Sequence, residues 1–389
     1  MGNNILFCFE YMPYNGRGGI SNVSIRLSKY FRAHYGLKCY CLYMDIEPEC
    51  NDTSYFDGCF QIEKNKANIN HLTEFITENE IGNIIFQVAW NFKLFKLIKK
   101  AAKLTDTPII TAIHGLPRQI IYTVDEYLKN NTPHGFKESV AKKIRPIYLR
   151  YLYNKLRYRN IYLCRNSDKM VWLTLANKND YLSFYAIDNN EKFRVIPNPT
   201  TFDYFYPKDK IANKENIVLV VSRFEEKVKR LSLILKIWKI MESSYKTNWK
   251  LIIIGSGPEM DMYLNLSKKL ELQNVIFEGY KNPFEYYKKA SIFLMTSLFE
   301  GFPLTLVEAQ QCGVVPIAMD SFESLRDIIS DGINGIIVPD NNIHEYASKL
   351  NGLINDTEYR NSMQLNAIGS SEKYSIETVA SEWISLFEK

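Results

Sequence analysis

The stretch of sequence that decides the fold is SIFLMTSLFEGFPLTLVEAQQCGVVPIAM, residues 291–319. It begins and ends with short apolar runs, 291–297 and 314–319, and a helical stretch follows Pro303. Proline suits the first position of a helix, because its missing N–H would have no intrahelical partner there. The stretch therefore predicts a buried strand, a helix that begins at Pro303 and a second strand, which is the repeating unit of a parallel sheet.

The same alternation of strand and helix extends outward over the whole chain. Amphipathic helices are predicted, for example, at 20–34 and 92–104. Continuous apolar strands separated by helices indicate parallel sheets covered on both faces, so the predicted class is α/β with doubly wound, Rossmann-like sheets. The predicted strands are 4–10, 39–44, 83–90, 108–114 and 169–174 in the first half and 217–224, 249–255, 274–280, 291–297, 314–319 and 335–339 in the second.

The alternation pauses at residues 196–216, a non-periodic stretch with three prolines, and a chain of 389 residues is too long for one compact core. We therefore predict one domain at 1–200, a second at 201–370, and a C-terminal helix within 371–389 that packs back toward the first domain. The two domains are expected to face each other across a cleft, because open parallel sheets bind ligands at the carboxyl ends of their strands.

The composition argues against several classes of protein. Hydrophobic residues make up 46% and charged residues 23%, as in soluble globular proteins, and a net charge of +5 is too weak to indicate nucleic-acid binding. The seven cysteines include no CxxC pair and are interpreted as reduced thiols of a cytoplasmic protein. The first residues do not resemble a signal peptide, and no apolar run approaches the ~18 residues of a transmembrane helix.

Two acids, Glu300 and Glu308, flank the predicted helix start at Pro303. Free N–H groups and the positive end of the helix dipole make such a start a site for anions. Glu308 lies on the helical face of Leu304 and Thr305, so its carboxylate can accept hydrogen bonds from the hydroxyls of a sugar or a ribose. The alternative is a capping Glu300 and a solvated Glu308, and spacing alone leaves both interpretations open.

Two cations stand near the end of another apolar strand. Arg223 stands near the end of the run VLVVSRF (218–224), and Lys229 follows six residues later. Two fixed cations at the carboxyl end of a strand can neutralise a diphosphate, Arg as a planar fork and Lys as a point charge. The alternative is a solvated basic turn that contains Lys227, Lys229 and Arg230.

Two glycine-rich loops follow predicted strands. The glycines of NGRGGISNVSIRL (15–27) allow backbone amides to approach a phosphate closely, and GSGPEM (255–260) has the same character. Neither is a complete GxGxxG fingerprint, because Ser21 and Met260 stand where the last glycine belongs. Each loop alone is equally compatible with a tight turn.

Together the motifs resemble a retaining glycosyltransferase of family 4, which has the GT-B fold. The resemblance runs in order over nearly the whole chain. The matching pieces are GGIS (18–21), IHGLP (113–117), SDKMVWLT (167–174), RVIPNP (194–199), the Arg223/Lys229 pair, IIGSGPE (253–259), VIFEGY (275–280), EGFPLTLVEAQQCGVVPIA (300–318) and DGINGIIVP (331–339).

The resemblance implies that the second domain binds a nucleotide-diphosphate sugar and that the first domain faces the acceptor. Glu308 would hold the ribose hydroxyls, Glu300 would contact the transferred sugar, and Arg223 and Lys229 would bind the diphosphate. The other implied donor-site positions are Gly18, Gly19, Gly257, Gly301, Phe302, Pro303, Leu304 and Thr305.

The resemblance also implies that His114 lies beside the transferred sugar, where the alternative is a core histidine with a satisfied ring. The family lacks an Asp-x-Asp metal site and this sequence contains no such triplet, so neither a metal nor another cofactor is expected. Arg230 departs from the family, since many members have glycine there. The implied function is transfer of a hexosyl group to a glycan or lipid-linked acceptor in the biosynthesis of a capsule- or lipopolysaccharide-type polysaccharide.

Two other functions remain as alternatives. A nicotinamide-dependent oxidoreductase also has doubly wound sheets, but it requires a complete GxGxxG with an acid ~20 residues later. A non-catalytic sugar-nucleotide-binding protein would keep the C-terminal motifs but lose the glycines near the N-terminus and His114, which this chain has.

A basic segment, 137–159, contains eight Lys and Arg residues and one acid, Glu138. Pro146 predicts a helix start, after which Tyr148, Tyr151 and Leu152 form a stripe and Arg150 and Arg157 share another face. Tyr with interleaved cations suits the surface of an anionic membrane, and a peripheral position at the inner face of the cell membrane would follow. A solvated helix with its Tyr stripe packed inward is the alternative.

Overall fold

The computed structural model describes residues 2–16, 18–48, 50, 52, 54–62, 69–130 and 136–387. The chain divides into two compact units, and each unit has its own sheet. Unit 1 consists of Met1–Pro197 together with Ile376–Lys389, and unit 2 consists of Asn198–Ser375.

Unit 1 alternates strands and helices. Its elements are β1 (Asn4–Cys8), α1 (Gly19–Tyr35), β2 (Cys39–Tyr43), β3 (Gly58–Gln61), α2 (Ile69–Glu78), β4 (Ile81–Phe86), α3 (Phe92–Thr105), β5 (Ile109–Ile113), α4 (Pro117–Asn130), α5 (Phe136–Lys143), α6 (Arg145–Asn166), β6 (Lys169–Trp172), α7 (Leu175–Tyr185) and β7 (Phe193–Val195).

Unit 2 repeats the pattern. Its elements are β8 (Ile217–Val221), α8 (Glu226–Lys229), α9 (Leu231–Ser244), β9 (Lys250–Ile254), α10 (Met260–Lys269), β10 (Val275–Gly279), α11 (Phe284–Lys289), β11 (Ile292–Met295), α12 (Leu304–Gln311), β12 (Val315–Asp320), α13 (Leu325–Ile328), β13 (Ile336–Pro339), α14 (Ile343–Asn355) and α15 (Thr357–Ser371). The last helix, α16 (Ile376–Phe387), belongs to unit 1.

Both sheets are parallel and reverse their strand order once. The order is β3-β2-β1-β4-β5-β6-β7 in unit 1 and β10-β9-β8-β11-β12-β13 in unit 2. The order reverses between β1 and β4 in the first sheet and between β8 and β11 in the second. Such switch points open a crevice beyond the carboxyl ends of the two strands, where doubly wound sheets bind their ligands.

Burial of apolar strand and helix faces stabilises each unit. In unit 2, Val218, Leu251 and Ile317 of the sheet pack with Trp238 of α9 and Tyr346 of α14 in one buried cluster. Burying one such side chain contributes about 1.5–3 kcal/mol to stability. Because helices cover both faces of a parallel sheet, its strands have apolar residues on both faces.

The last helix completes the core of unit 1. The ring of Phe387 in α16 meets the ring of Phe31 in α1 edge to face, with 5.8 Å between the ring centroids. Lys169 at the start of β6 donates a hydrogen bond from its ammonium group to the backbone oxygen of Leu386. The segment 376–387 is therefore part of the packing of unit 1, although almost 180 residues separate it from Pro197.

The predicted α/β class with two doubly wound parallel sheets is confirmed. The predicted start of α12 is wrong by one residue, because Pro303 is the N-cap and the helix begins at Leu304. In the ranges that the structure describes, no helix is both long enough and apolar enough to cross a bilayer.

Candidate functional site

Lys229 and Glu300 form an ion pair beyond the carboxyl ends of β8 and β11, which are neighbours at the switch point of unit 2. The Lys229 Nζ lies 2.5 Å from Glu300 Oε1, and the two side chains are 22% and 14% exposed. A partly buried pair of this kind is less screened by solvent than a surface pair. The structure thus brings together one predicted diphosphate ligand and one predicted sugar ligand.

Arg223 points to a different carboxylate. Its Nη2 donates a hydrogen bond to Glu225 Oε2 at 2.6 Å, and its side chain is 71% exposed. The planar guanidinium therefore stands at the surface, where it can bind a diphosphate bidentately. Lys227 is exposed, which agrees with its interpretation as a solvated residue.

The glycine loop at 255–257 supports the segment that carries Arg223. A Cβ on Gly255 would lie 1.7 Å from the backbone oxygen of Ser222, and one on Gly257 would lie 2.4 Å from that of Phe224. The Phe224 N–H donates to the backbone oxygen of Ser256 at 2.8 Å. Only glycine allows this close approach, so Gly257, a predicted donor-binding residue, has a packing role in the free protein.

The segment between β11 and α12 brings the remaining predicted positions to the same edge of the sheet. Phe302 packs edge to face against Tyr374, with ring centroids 5.4 Å apart. Ser324 Oγ donates to the backbone oxygen of Glu300 at 3.2 Å. Glu300 does not cap α12, whose N-cap is Pro303. The N–H groups of Leu304 and Thr305 open the helix, and the first N–H groups of any helix have no intrahelical acceptor.

Glu308 is buried within α12, with an exposed fraction of 8%. Its Oε1 accepts a hydrogen bond from Thr201 Oγ1 at 2.6 Å, and its Oε2 accepts one from Tyr287 Oη at 3.0 Å. Burial raises the pKa of Glu308 above its usual value, and these two hydrogen bonds oppose the rise. The alternative of a solvated surface acid is therefore wrong.

The carboxylate of Glu308 can accept hydrogen bonds in addition to those from Thr201 and Tyr287. A carboxylate has about four lone-pair sites, and Thr201 and Tyr287 occupy one on each oxygen. One site on each oxygen is left for a ligand donor. This arrangement matches two adjacent hydroxyls.

His114 follows β5 in unit 1 and begins a chain of hydrogen bonds. Its Nε2 lies 3.2 Å from Gln87 Oε1, Gln87 Nε2 donates to Ser24 Oγ at 2.7 Å, and Ser24 Oγ donates to the backbone oxygen of Ile20 at 2.7 Å. Burial lowers the pKa of His114 to about 4, so the ring is neutral at pH 7. With Nε2 donating to Gln87, Nδ1 carries a lone pair and can accept a hydrogen bond.

Two of the predicted donor-site glycines lie at the start of α1. Gly18 is the N-cap of α1 and Gly19 is its first residue. Gly18 has a φ of 140°, which glycine adopts readily, and a Cβ there would meet no heavy atom within 4 Å. Glycine at position 18 is therefore explained by its backbone conformation, since a side chain there would not collide with other atoms of the protein.

Residues 204–369 match the sequence model of the family described as Glycosyl transferases group 1. The matched part of the chain is therefore similar to a glycosyl transferases group 1 domain. It lies wholly within unit 2 and contains Arg223, Lys229, Glu300 and Glu308, whereas Thr201 precedes it by three residues.

Two curated relatives extend the comparison beyond residues 204–369. The chain is 31% identical over 218 residues to an uncharacterized glycosyltransferase of Haemophilus influenzae, a match that covers 56% of this chain and only 60% of that protein. It is 24% identical over 324 residues to the GalNAc-alpha-(1->4)-GalNAc-alpha-(1->3)-diNAcBac-PP-undecaprenol alpha-1,4-N-acetyl-D-galactosaminyltransferase of Campylobacter jejuni, covering 83% of this chain and 85% of that one.

A solved structure has a similar fold. The crystal structure of Anabaena Alr3699/HepE in complex with UDP has a TM-score of 0.74 and 16% identity, and the likeness covers 99% of this chain and 100% of that one. This likeness confirms the predicted GT-B fold.

Partners of Glu308 and His114 were not found from the sequence. Thr201 and Tyr287 donate hydrogen bonds to Glu308, Gln87 lies against His114, and Ser24 continues the chain of hydrogen bonds from Gln87. The signal available for Gln87 is its position directly after a buried strand that borders the switch point of unit 1. Nothing in the sequence marks the other three.

Proposed function

We propose that the chain is a retaining, metal-independent family 4 glycosyltransferase that moves a hexosyl group from a nucleotide-diphosphate sugar to a glycan or lipid-linked acceptor. The product would be part of a cell-surface polysaccharide. The observation that carries the proposal is the Lys229–Glu300 pair, which stands with Arg223 and the start of α12 at the carboxyl edge of a doubly wound sheet.

The cations serve the donor diphosphate. Lys229 can leave Glu300 for a phosphate oxygen, and the exposed fork of Arg223 can leave Glu225 in the same way. The first N–H groups of α12 add partial positive charge. Together these groups would stabilise the charge that develops on the leaving diphosphate without the help of a metal ion.

The two acids have separate roles in this proposal. Glu308 accepts hydrogen bonds from the paired hydroxyls of the ribose, and Glu300 accepts hydrogen bonds from the transferred sugar. As the bond from the anomeric carbon to the diphosphate breaks, the acceptor oxygen bonds to the same face of that carbon and its proton passes to the diphosphate. The protein's task is therefore to position the donor and to stabilise charge.

The Campylobacter jejuni relative supports the class of acceptor, because its name specifies a substrate linked through a diphosphate to undecaprenol. The Anabaena structure, a complex with UDP, supports a nucleotide-diphosphate sugar as donor. His114, as a neutral ring with a free acceptor atom, fits a hydrogen bond from a sugar hydroxyl.

Thermal-shift measurements with UDP, GDP, ADP and NAD test the proposal first. We expect one of the three diphosphates to raise the melting temperature, and its sugar conjugates should then release free nucleotide in the presence of a glycan acceptor. Binding without release from any conjugate would favour the non-catalytic alternative, and stabilisation by NAD alone would favour the oxidoreductase.

We further propose that the protein works in the cytoplasm as a peripheral protein on the inner face of the membrane, which α6 contacts. Ile147 and Tyr151 are 68% and 59% exposed, and Arg150 is exposed beside them. Arg157, seven residues after Arg150 on the same helix, donates a hydrogen bond from its Nε to the backbone oxygen of Tyr185 at 2.7 Å and so helps to hold α6 against α7.

Sedimentation with phosphatidylserine vesicles tests the membrane contact. Each cation near such a surface contributes about 1 kcal/mol, so we expect binding at low salt that high salt reverses. Arg150→Glu should weaken it, whereas Lys100→Glu, the same charge change at an exposed position of α3, should have a smaller effect. Absence of binding at low salt would refute the contact.

A further inference from the structure

One residue, Arg230, joins α8 to α9, and its backbone has an unusual conformation. With φ 50° and ψ 42° it lies in the left-handed region, where a Cβ is disfavoured and glycine is the usual residue. A non-glycine residue stays in this region when surrounding contacts determine its conformation. The side chain of Arg230 makes such contacts.

The guanidinium of Arg230 binds two other segments at the carboxyl edge of the unit 2 sheet. Its Nη2 lies 2.7 Å from Asp340 Oδ1 and its Nη1 lies 3.2 Å from Asp340 Oδ2, a bidentate pair just after β13. Its Nε donates to the backbone oxygen of Thr296, directly after β11, at 2.7 Å. The side chain is only 11% exposed, so its planar guanidinium binds groups of the protein and is largely shielded from solvent.

The segment after β11 also donates hydrogen bonds to the backbone of α8 and of Arg230. Thr296 Oγ1 donates to the backbone oxygens of Lys229 and Arg230, each at 3.0 Å. The Leu298 N–H donates to the backbone oxygen of Val228 at 2.7 Å. The backbone on both sides of the Lys229–Glu300 pair is therefore connected through Arg230 and Thr296.

We propose that Arg230, held by Asp340, is a positioning residue that fixes the separation of Lys229 and Glu300. The inference rests on the proposed function, because the two residues are those assigned to the diphosphate and to the sugar. Arg230 acts through them, since its guanidinium is directed to Asp340 and to the backbone after β11. The contacts of Arg230 thereby hold α8, the segment after β11 and Asp340 after β13 in fixed positions relative to one another.

The test uses Arg230→Gly, which removes the guanidinium and relieves the backbone at the same time. We expect an unchanged or higher melting temperature, nearly unchanged affinity for the free nucleotide diphosphate, and a kcat lower by about 100-fold, as for a small misplacement of reacting groups. Arg230→Lys keeps the charge without the planar fork, so it should also lose kcat. Lys227→Ala, an exposed neighbour, is the control and should keep wild-type kcat.

A second readout does not depend on activity. Acetylation of lysines, followed by peptide mass spectrometry, compares the reactivity of Lys229 with that of Lys227 in the same protein. Arg230→Gly and Asp340→Asn should each raise the relative reactivity of Lys229 several-fold, because the amine is released from Glu300. Unchanged labelling would overturn the inference, as would wild-type kcat in Arg230→Gly. If the wild-type protein shows no turnover but the two variants show this labelling change, the proposed function is refuted and the positioning role of Arg230 is not.

Discussion

Replacing Glu308 by Gln tests the proposed ribose contact. The carboxylate already accepts one hydrogen bond on each oxygen, from Thr201 and Tyr287, and has one acceptor site on each oxygen for a ribose hydroxyl. Gln has a single oxygen, and its amide N–H groups would face one of these two hydroxyl donors. At least one charge-assisted hydrogen bond to the ribose is lost, which corresponds to about 1.5–3 kcal/mol and a Kd higher by about 10- to 150-fold.

Calorimetry with the preferred nucleotide diphosphate and with its 2′,3′-dideoxy analogue measures this effect. The wild-type protein should prefer the ribose form, and Glu308→Gln should reduce this preference by about 10- to 150-fold. Glu300→Gln is the matched control, since it should reduce transfer while leaving the affinity for free nucleotide nearly unchanged. Equal losses of affinity in the two variants, or an undiminished ribose preference in Glu308→Gln, would refute the division of roles.

The remaining predictions concern the cations, the metal and the histidine. Arg223→Ala and Lys229→Ala should each lower kcat/KM by about 100-fold in a nucleotide-release assay, as for the loss of one charge-stabilising donor; turnover at the wild-type rate would contradict the diphosphate assignment. Transfer should persist in EDTA, and a complete loss that Mg²⁺ or Mn²⁺ restores would contradict metal independence. Because the pKa of His114 is about 4 in the folded protein and ~6.5 when unfolded, the unfolded state binds the extra proton between these values. The free energy of unfolding should thus rise with pH over this window by up to about 3 kcal/mol. Urea melts should show a smaller rise for His114→Gln than for the wild-type protein, whereas His71→Gln should keep the wild-type rise.

The sequence predicts the sheets well because their strands are buried on both faces. Continuous apolar runs mark β8 and β11 directly, and the same holds for most of the other strands. The exceptions in the first half are the two edge strands of the sheet, β3 and β7. In β3, with the sequence GCFQ, intermediate and exposed positions alternate, and β7 has only three residues, FRV. Their short length and the glycine of β3 give no strand signal.

The site is partly predictable for a geometric reason. Residues that follow neighbouring parallel strands meet at one edge of a sheet, so Lys229 and Glu300 were expected in one region, and the structure pairs them. The partners of Glu308 were not predictable, since 107 residues separate it from Thr201 and no periodicity relates the two. Arg230 stands where many members of the family have glycine, and it adopts the left-handed conformation that glycine favours.

The contribution of α16 to unit 1 has a consequence for folding during synthesis. Residues 198–375 leave the ribosome as one continuous segment and can fold as they emerge, whereas the helix that meets Phe31 is made about 180 residues after Pro197. At ~5–20 residues per second, unit 1 waits roughly 10–40 s for its last helix, with the α1 surface around Phe31 uncovered. The N-terminal unit, although translated first, is therefore expected to be the last to complete its fold and the one more dependent on chaperones in the cell.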